Sequence, residues 1–283
     1  YFGDMPYYQA GYAPLDGASG YVAPFDKQSD IYTSILSDLA WAVDNFTTDT
    51  TGQFQLGAYE TFFQNDISEW IQFANSLRLY IAVTMYDKNT TLAAAEIVKS
   101  MSKPFLDDDN NVGLWPSKIS GLEFQWRTWS FYANCYLRMG TTVWNWMSSS
   151  NDTTGADIFD TRCKIYYEPD NYGGWVPNVQ NQSSTTASDG GAPYNTQRST
   201  AWTNKGAGCL VSPFNYYFEQ DQSSIPELIL TAAQVHFLKA EVYNRGLGVS
   251  ANAASAQTEY NKGITASLNM WTGIAYNSSV WVE

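Results

Sequence analysis

Two tryptophans lie in stretches whose composition is unusual for a protein core. Trp175 belongs to DNYGGWVP and Trp202 belongs to STAWTNKGAG, with Tyr172 and Asn204 close to them in sequence. Gly, Ser and Asn favour loops, and an aromatic ring exposed on a loop can stack on the apolar face of a sugar while an amide binds its hydroxyls. We therefore predict that these four residues bind a ligand. The alternative is that the two tryptophans form a small core beneath the loops.

Carboxylates are the second group of residues that could do chemistry, because they can catalyse glycoside hydrolysis. A glycosidase uses two carboxyl groups that face each other about 5 to 10 Å apart across the sugar. The residues that qualify by type are Glu60, Asp66, Glu123, Asp160, Glu168 and Asp170. No short hydrolase motif accompanies them. The sequence thus predicts no catalytic residue and favours a binding protein, with a secreted glycoside hydrolase as an alternative.

Two further motifs indicate neither a metal nor a cofactor. His236 is the only histidine and lies in an apolar helical stretch, so we predict a structural role for it. The stretch DDDNNVG places Asp107, Asp109 and Asn111 at alternate positions, as a calcium loop would. However, valine stands where that loop needs glycine, and lysine stands where it needs glutamate. The pattern predicts a solvated acidic turn.

The composition limits the possible partners. Charged residues make up 15% of the chain, below the usual level of about 25%, while aromatic residues reach 16% and the net charge is −13. Because phosphate binding needs clustered Lys and Arg, the sequence predicts no nucleic-acid partner. No apolar run approaches the roughly 20 residues that span a bilayer. Three widely spaced cysteines, Cys135, Cys163 and Cys209, exclude a disulfide framework and leave one bridge possible.

Periodic apolar residues predict the helices that position the loops. Residues 29–46 form the first helix, whose predicted buried face is Ile31, Ile35, Leu39, Ala42 and Phe46. Asp66 is predicted to cap a second helix, and residues 92–101 to form a short third helix that ends before Pro104.

The stretch LTAAQVHFLKAEVYNRG predicts a further helix together with both of its ends. Thr231 and Gln234 fit a capping box, and Gly246 fits a C-cap. Asn252 then caps a partner helix. Two helices joined by so short a turn are typical of one unit of a helical-repeat array.

Between residues 104 and 223 the periodicity fades, and Gly, Pro, Asn and Ser accumulate. We predict long loops and short strands there, with one helix around residues 128–139. Long loops in a compact protein are usually functional. The segment also holds seven of the eleven tryptophans, which are Trp115, Trp126, Trp129, Trp144, Trp146, Trp175 and Trp202.

Several separated stretches resemble one known family. They are YFGDMPY, DIYTSILSDL, SEWIQFANSLRLYIAV, LTAAQVHFLKAEVYNRG and YNKGITASLNMW, and in this order they are similar to the SusD/RagB family of outer-membrane nutrient-binding lipoproteins. The stretch FDTRCKIYYEP is similar to a further family segment, which usually reads Asp-Pro-Arg-Leu. Here that segment reads Asp-Thr-Arg-Cys.

The resemblance implies a mainly α fold of tetratricopeptide-like helix pairs, with a long loop-rich segment containing short strands. It implies one SusD-like domain over residues 1–283, with a helical scaffold at 29–103 and 224–272 and a ligand-facing segment at 104–223. Family members are not enzymes. They sit lipid-anchored on the cell surface of the outer membrane, and they deliver glycans to a TonB-dependent transporter of the SusC type. The family's N-terminal anchor region and C-terminal end have no counterpart in this sequence.

The resemblance also adds residues to the predicted site. The N-terminal stretch lies close to the ligand in the family, which implies that Phe2, Asp4 and Tyr7 contact the glycan, with Asp4 accepting hydrogen bonds from sugar hydroxyls. A structural turn is the alternative for Asp4. For the whole protein, the remaining alternative is a helical-repeat scaffold that binds a peptide or a protein.

Overall fold

A computed structural model describes residues 3–107, 110–124, 138–149, 153–170, 172–178, 211–212, 214–215 and 224–277 of the chain. The α-helices of these ranges are α1 (Ala13–Asp16), α2 (Gln28–Asn45), α3 (Ile67–Met85), α4 (Thr90–Met101), α5 (Thr141–Met147), α6 (Cys163–Tyr166), α7 (Ala232–Arg245) and α8 (Ala253–Asn277). Strands β1 (Val112–Leu114) and β2 (Glu227–Leu230) form a two-stranded sheet. The fold is therefore mainly helical with few short strands, as predicted. None of the described helices has the length and apolar character needed to cross a membrane.

The chain divides into two compact units. Unit 1 comprises Tyr1–Val112 and Leu228–Ala266, and unit 2 comprises Gly113–Glu227 and Ser267–Glu283. Helices α1 to α4 and α7 belong to unit 1, and α5 and α6 belong to unit 2. Helix α8 continues from unit 1 into unit 2.

The core of unit 1 is built on the pair of helices α3 and α4. Leu79 on α3 and Ala93 and Ile97 on α4 are completely buried. Leu36 of α2 and Val242 of α7 join the same cluster. Burying each large aliphatic side chain contributes about 1.5–3 kcal/mol, so this contact dominates the stability of the unit.

Polar groups fix how α3 and α4 meet. The Asn75 side chain is completely buried, and its Nδ2 donates to the carbonyls of Ser100 and Pro104, each at 3.0 Å. Ser100 Oγ donates in return to the Asn75 carbonyl at 3.2 Å. Because a buried amide costs free energy unless it is bonded, these contacts define where α4 ends relative to α3.

A buried ion pair reinforces this register. Arg78 is 1% exposed, and its Nε donates to Glu96 Oε2 at 2.7 Å. Glu96 is also buried, and its second oxygen accepts a hydrogen bond from Lys99 at 3.0 Å. Charges removed from water in this way are tolerated only as a pair, so each partner depends on the other.

Removing one partner should therefore be costly. We expect Glu96→Leu to leave the Arg78 guanidinium buried and unpaired, and to lower the free energy of unfolding by about 3–5 kcal/mol, measured by urea denaturation followed by circular dichroism. The matched control is Lys103→Ala, which breaks a solvent-exposed ion pair with Asp44 and should change stability little. Equal losses in the two variants would contradict the proposed role of the buried pair.

The helix ends confirm the predicted caps. Asp66 accepts hydrogen bonds from the first-turn amides of α3, and the Thr231 and Gln234 side chains form a complete capping box on α7. Gly246 closes α7 in the left-handed region at φ 68°, where glycine carries no steric penalty. Asn252 Oδ1 accepts from the Ser255 amide at 3.0 Å at the start of α8.

Helix α2 buries Ile31 as predicted, but the rest of its buried face differs from the one predicted. Its buried residues are Ile31, Leu36 and Val43, whereas Phe46 is 40% exposed. Ile35 and Leu39 lie only at the edge of the core. The sequence contains two overlapping apolar stripes, and packing against α3 selects the one centred on Leu36.

His236 has the structural surroundings predicted for it. Its Nδ1 lies 2.6 Å from Glu259 Oε2, and both side chains are buried where α7 packs on α8. Lys239 Nζ lies 2.8 Å from the same oxygen. Burial raises the pKa of Glu259, but the hydrogen bonds and charges of Lys239 and His236 outweigh burial, so the net pKa lies below its ordinary value.

This lowered pKa predicts the pH range in which Glu259 stabilises the fold. A carboxyl group with a depressed folded-state pKa stabilises the fold above its unfolded-state pKa, and this stabilisation is lost as the pH falls through the folded value. We therefore expect Glu259→Gln to lower the urea midpoint at pH 7, with the difference from wild type shrinking below about pH 4. Glu241→Gln, which alters an exposed pair with Arg245, is the control. A difference that is independent of pH would contradict the assignment.

Candidate functional site

The structure places Trp175 inside a core of unit 2. Its side chain is 8% exposed and packs with Met139, Trp144, Met147 and Cys163, among other residues. Its backbone amide donates to the Thr153 carbonyl at 2.7 Å. The alternative of a small core beneath the loops fits this burial, and the stacking role predicted for Trp175 has no support from it.

Gly155 makes this burial possible. It has φ +77°, and a Cβ atom at that position would lie 2.5 Å from Cδ1 of the Trp175 indole. No local pattern predicts this contact, because Gly155 and Trp175 are twenty residues apart and share no motif.

A glycine pair tests the placement of Trp175. We expect Gly155→Ala to destabilise unit 2 by about 2–4 kcal/mol, because it combines a positive φ with displacement of a buried indole. Gly173 is the matched control, since it also has a positive φ of +83° but nothing within 4 Å of its would-be Cβ. Gly173→Ala should cost only about 1–2 kcal/mol. Urea denaturation and near-ultraviolet circular dichroism measure both, and equal losses would contradict the burial of Trp175.

Tyr172 lies on a turn that holds it in solvent. Its side chain is 80% exposed. Asp170 is buried beneath it, and its Oδ1 accepts hydrogen bonds from the Tyr172 amide at 2.9 Å and the Gly174 amide at 2.6 Å. The Asp170 amide donates in turn to the Gly174 carbonyl at 2.7 Å. A buried carboxylate thus fixes the backbone of the turn that presents an exposed aromatic ring.

Unit 2 also contains an exposed tryptophan that was not among the predicted site residues. Trp146 lies on α5 and is 75% exposed, whereas Trp144 on the same helix is completely buried. Helix α5 was not predicted, and the predicted helix around residues 128–139 lies mostly outside the described residues. The two Trp residues lie on opposite sides of a short helix, and seven residues are too few to show helical periodicity.

The predicted N-terminal residues are held against the start of α2. Asp4 Oδ1 accepts from the Gln28 amide at 2.9 Å, and Asp26 Oδ2 accepts from the Tyr7 and Tyr8 amides, each at 2.9 Å. The bond from Gln28 fits the structural alternative for Asp4. Tyr7 is half-buried and meets the Tyr8 ring edge-to-face at 5.1 Å.

Three predicted site residues have no described position. Phe2, Trp202 and Asn204 lie outside the residues that the structure describes. Their ligand contacts stay predictions.

Four of the six candidate carboxylates have hydrogen-bonding roles within the fold. Glu60 accepts from the amides of Phe62, Phe63 and Asn65 at 2.8–2.9 Å. Asp66 and Asp170 hold the helix start and the turn described above. Asp160 binds Arg162, whose hydrogen bond lowers the pKa of that carboxyl group below its ordinary value. A carboxylate whose oxygens already accept hydrogen bonds within the fold is poorly placed to donate a proton to a substrate, which argues against hydrolysis at these positions.

The acidic turn shows a structural contact too. Asn111 Oδ1, one of the three alternate positions of the calcium-like stretch, accepts from the Ala232 amide at the start of α7 at 3.1 Å. No group of three His, Cys, Asp or Glu side chains suited to a metal ion occurs among the described residues. Cys163 is a free thiol, and burial raises its pKa to about 12, so it is chemically inert.

Comparison with known proteins identifies the family. The SusD-like family described as starch-binding and associating with the outer membrane matches residues 1–280. The chain belongs to this family. Its members are non-catalytic binding proteins associated with the outer membrane. A comparison with curated proteins gave no match.

Solved structures share the SusD-like fold. A SusD homolog from Bacteroides vulgatus is 23% identical with a TM-score of 0.65, over 95% of this chain and 48% of that one. A SusD-like protein from Bacteroides thetaiotaomicron is 19% identical with a TM-score of 0.63, over 95% and 49%. A chitin-binding SusD homolog from Flavobacterium johnsoniae is 18% identical with a TM-score of 0.64, over 98% and 52%. The chain thus spans about half the length of the structures it matches.

Proposed function

We propose that this SusD-like protein binds a neutral glycan through exposed aromatic side chains of unit 2 and does not cleave it. The observation that carries the proposal is the Tyr172 ring, which is 80% exposed on a turn fixed by the buried Asp170. An exposed aromatic ring on a fixed backbone offers a sugar a stacking surface without a large ordering cost. Trp146 on α5 supplies a second such ring.

The charge of the chain supports a neutral ligand. With a net charge of −13, the protein would repel a polyanionic glycan, and stacking with hydrogen bonding requires no charge on the sugar. The ligands named for related proteins are also neutral glycans. The family is described as starch-binding, and a relative with the same fold is described as chitin-binding.

The family also suggests where this binding takes place. We propose that the protein acts at the cell surface, delivers its glycan to a SusC-like TonB-dependent transporter, and reaches the membrane only through a lipid anchor outside residues 1–283. Membership of an outer-membrane-associated family supports the location. Co-expression of the protein with a SusC-like transporter tests this partnership. Co-elution of the two proteins on size-exclusion chromatography would support it, and separate elution would contradict it.

The glycan proposal is tested by affinity electrophoresis. The wild-type protein is run through gels containing amylopectin, glycol chitin, xylan or dextran, with anionic alginate as the charged comparison. We expect retardation by a neutral polysaccharide, and a loss of about 3- to 10-fold in apparent affinity for each of Tyr172→Ala, Trp146→Ala and Trp202→Ala, since one stacked ring contributes about 0.5–1.5 kcal/mol.

The control separates stacking from general damage. Tyr276→Ala removes a ring of unit 2 that is also 80% exposed but lies at the end of α8 outside the predicted site, and it should bind as wild type does. Retardation that is unchanged in all three site variants would overturn the proposed residues. Release of reducing sugar during the experiment would overturn the non-catalytic assignment.

A peptide ligand is the second candidate, because unit 1 contains a groove that would suit one. The groove has a volume of about 570 Å³ and lies along α7 and α8. Phe237, Ala240, Ala256 and Tyr260 are among the residues that line it. Helix-in-groove and extended-peptide recognition both use apolar surfaces of this kind. Saturable binding of peptides, lost in Ala256→Trp, together with no retardation by any glycan, would favour this candidate.

A further inference from the structure

An exposed tryptophan on unit 1 remains unexplained by the core and by the proposed site. Trp41 lies on α2 with 63% of its surface exposed, on the side turned away from the buried residues Leu36 and Val43. Its ring meets the ring of Phe46 edge-to-face, with centroids 6.2 Å apart. Trp41 and the 40%-exposed Phe46 thus form one contiguous apolar patch rather than a singly exposed ring, and an apolar patch rimmed by polar residues is a feature of binding surfaces.

The neighbours of Trp41 on the helix surface are all polar. Residues three and four positions away share its face, and they are Ser37, Asp38, Asp44 and Asn45, each of them exposed. A helix face that packs against another protein helix carries apolar residues at those same positions. The surface around Trp41 is therefore an isolated aromatic pair within a ring of hydrogen-bonding groups.

The polar groups are also partly fixed in place. Lys103 Nζ binds Asp44 Oδ1 at 2.7 Å, and both side chains remain partly exposed. Asn45 Nδ2 donates to the Trp41 carbonyl at 2.8 Å. These contacts place a carboxylate, an ammonium group and an amide on the helix surface that also carries the aromatic pair, and each can hydrogen-bond a hydroxyl.

We propose that Trp41 and Phe46 form a second glycan platform, separate in sequence and in unit from the aromatic residues of unit 2, and that it takes one neutral sugar unit. An apolar ring face edged by acceptors and donors matches a sugar, whose apolar face is edged by hydroxyls. Asp38 and Asp44 disfavour an anionic sugar, since Lys103 balances only one of the two charges. This inference rests on the proposed glycan-binding function and adds a site to it.

Two platforms on one chain have a consequence for ligand length. A polysaccharide presents sugar units to each platform, so each platform adds to its retardation, whereas the binding of a disaccharide can be followed at each platform separately. Loss of the unit 1 platform should therefore weaken binding to a polysaccharide without altering how a disaccharide binds at unit 2.

The experiment uses the polysaccharide that most retards the wild-type protein. We expect Trp41→Ala to lower the apparent affinity by up to about 2-fold, the share of one of two independent platforms of similar strength, and Trp41→Phe to restore much of it, because phenylalanine keeps an aromatic face. The matched control is Tyr59→Ala, which removes another strongly exposed ring from unit 1 and should have no effect. Trp41 is absent from the buried core, so none of the variants should change the urea midpoint.

A site-specific measurement makes the outcome decisive. In protein labelled with 5-fluorotryptophan, the resonance that disappears in Trp41→Phe reports on this position alone. Adding the disaccharide of the same glycan should shift that resonance saturably. If the wild type is retarded but Trp41→Ala is retarded equally and the resonance does not move, the second platform is wrong while the proposed function stands. Absence of retardation by every neutral polysaccharide overturns both.

Discussion

The buried pairing of Arg78 with Glu96 is the constraint on which unit 1 depends. A charge with 1% of its surface exposed cannot be left without its partner, so α3 and α4 have one register that satisfies it. Asn75 and Ser100 join the same two helices, because the side chain of each donates a hydrogen bond to the backbone carbonyl of the other. Leu36 from α2 and Val242 from α7 then complete the core on the surface that this pair provides.

Unit 2 uses buried polar groups differently. There the carboxylate of Asp170 binds backbone amides of its own turn and keeps that turn in one shape. Trp175, close to Asp170 in sequence, is buried against Gly155, while Tyr172 is exposed to solvent. The buried indole of Trp175 has no face available to stack on a ligand, whereas the exposed ring of Tyr172 has one.

These arrangements suit a protein that binds and does not react. Four of the six acidic side chains considered for hydrolysis, Glu60, Asp66, Asp160 and Asp170, are engaged with backbone amides or with Arg162, and the single histidine is buried against Glu259. The exposed rings of Tyr172, Trp146 and Trp41 are the surfaces at which we propose that a glycan binds. None of the three rings belongs to the buried clusters, so the helices do not depend on them for packing.

Local signals in the sequence by themselves determined the longer helices of unit 1 and several of their ends. Thr231 with Gln234, Gly246 and Asp66 lie within a few residues of the groups they bind, so spacing alone predicts the caps. The family followed from these same helical segments. Only the tertiary structure decided the features that depend on distant residues. It selects which stripe of α2 is buried and brings Trp175 against Gly155. It also leaves Tyr172 and Trp41 exposed to solvent. Exposure of an aromatic ring depends on what the rest of the chain packs against it, and local spacing carries no record of that packing.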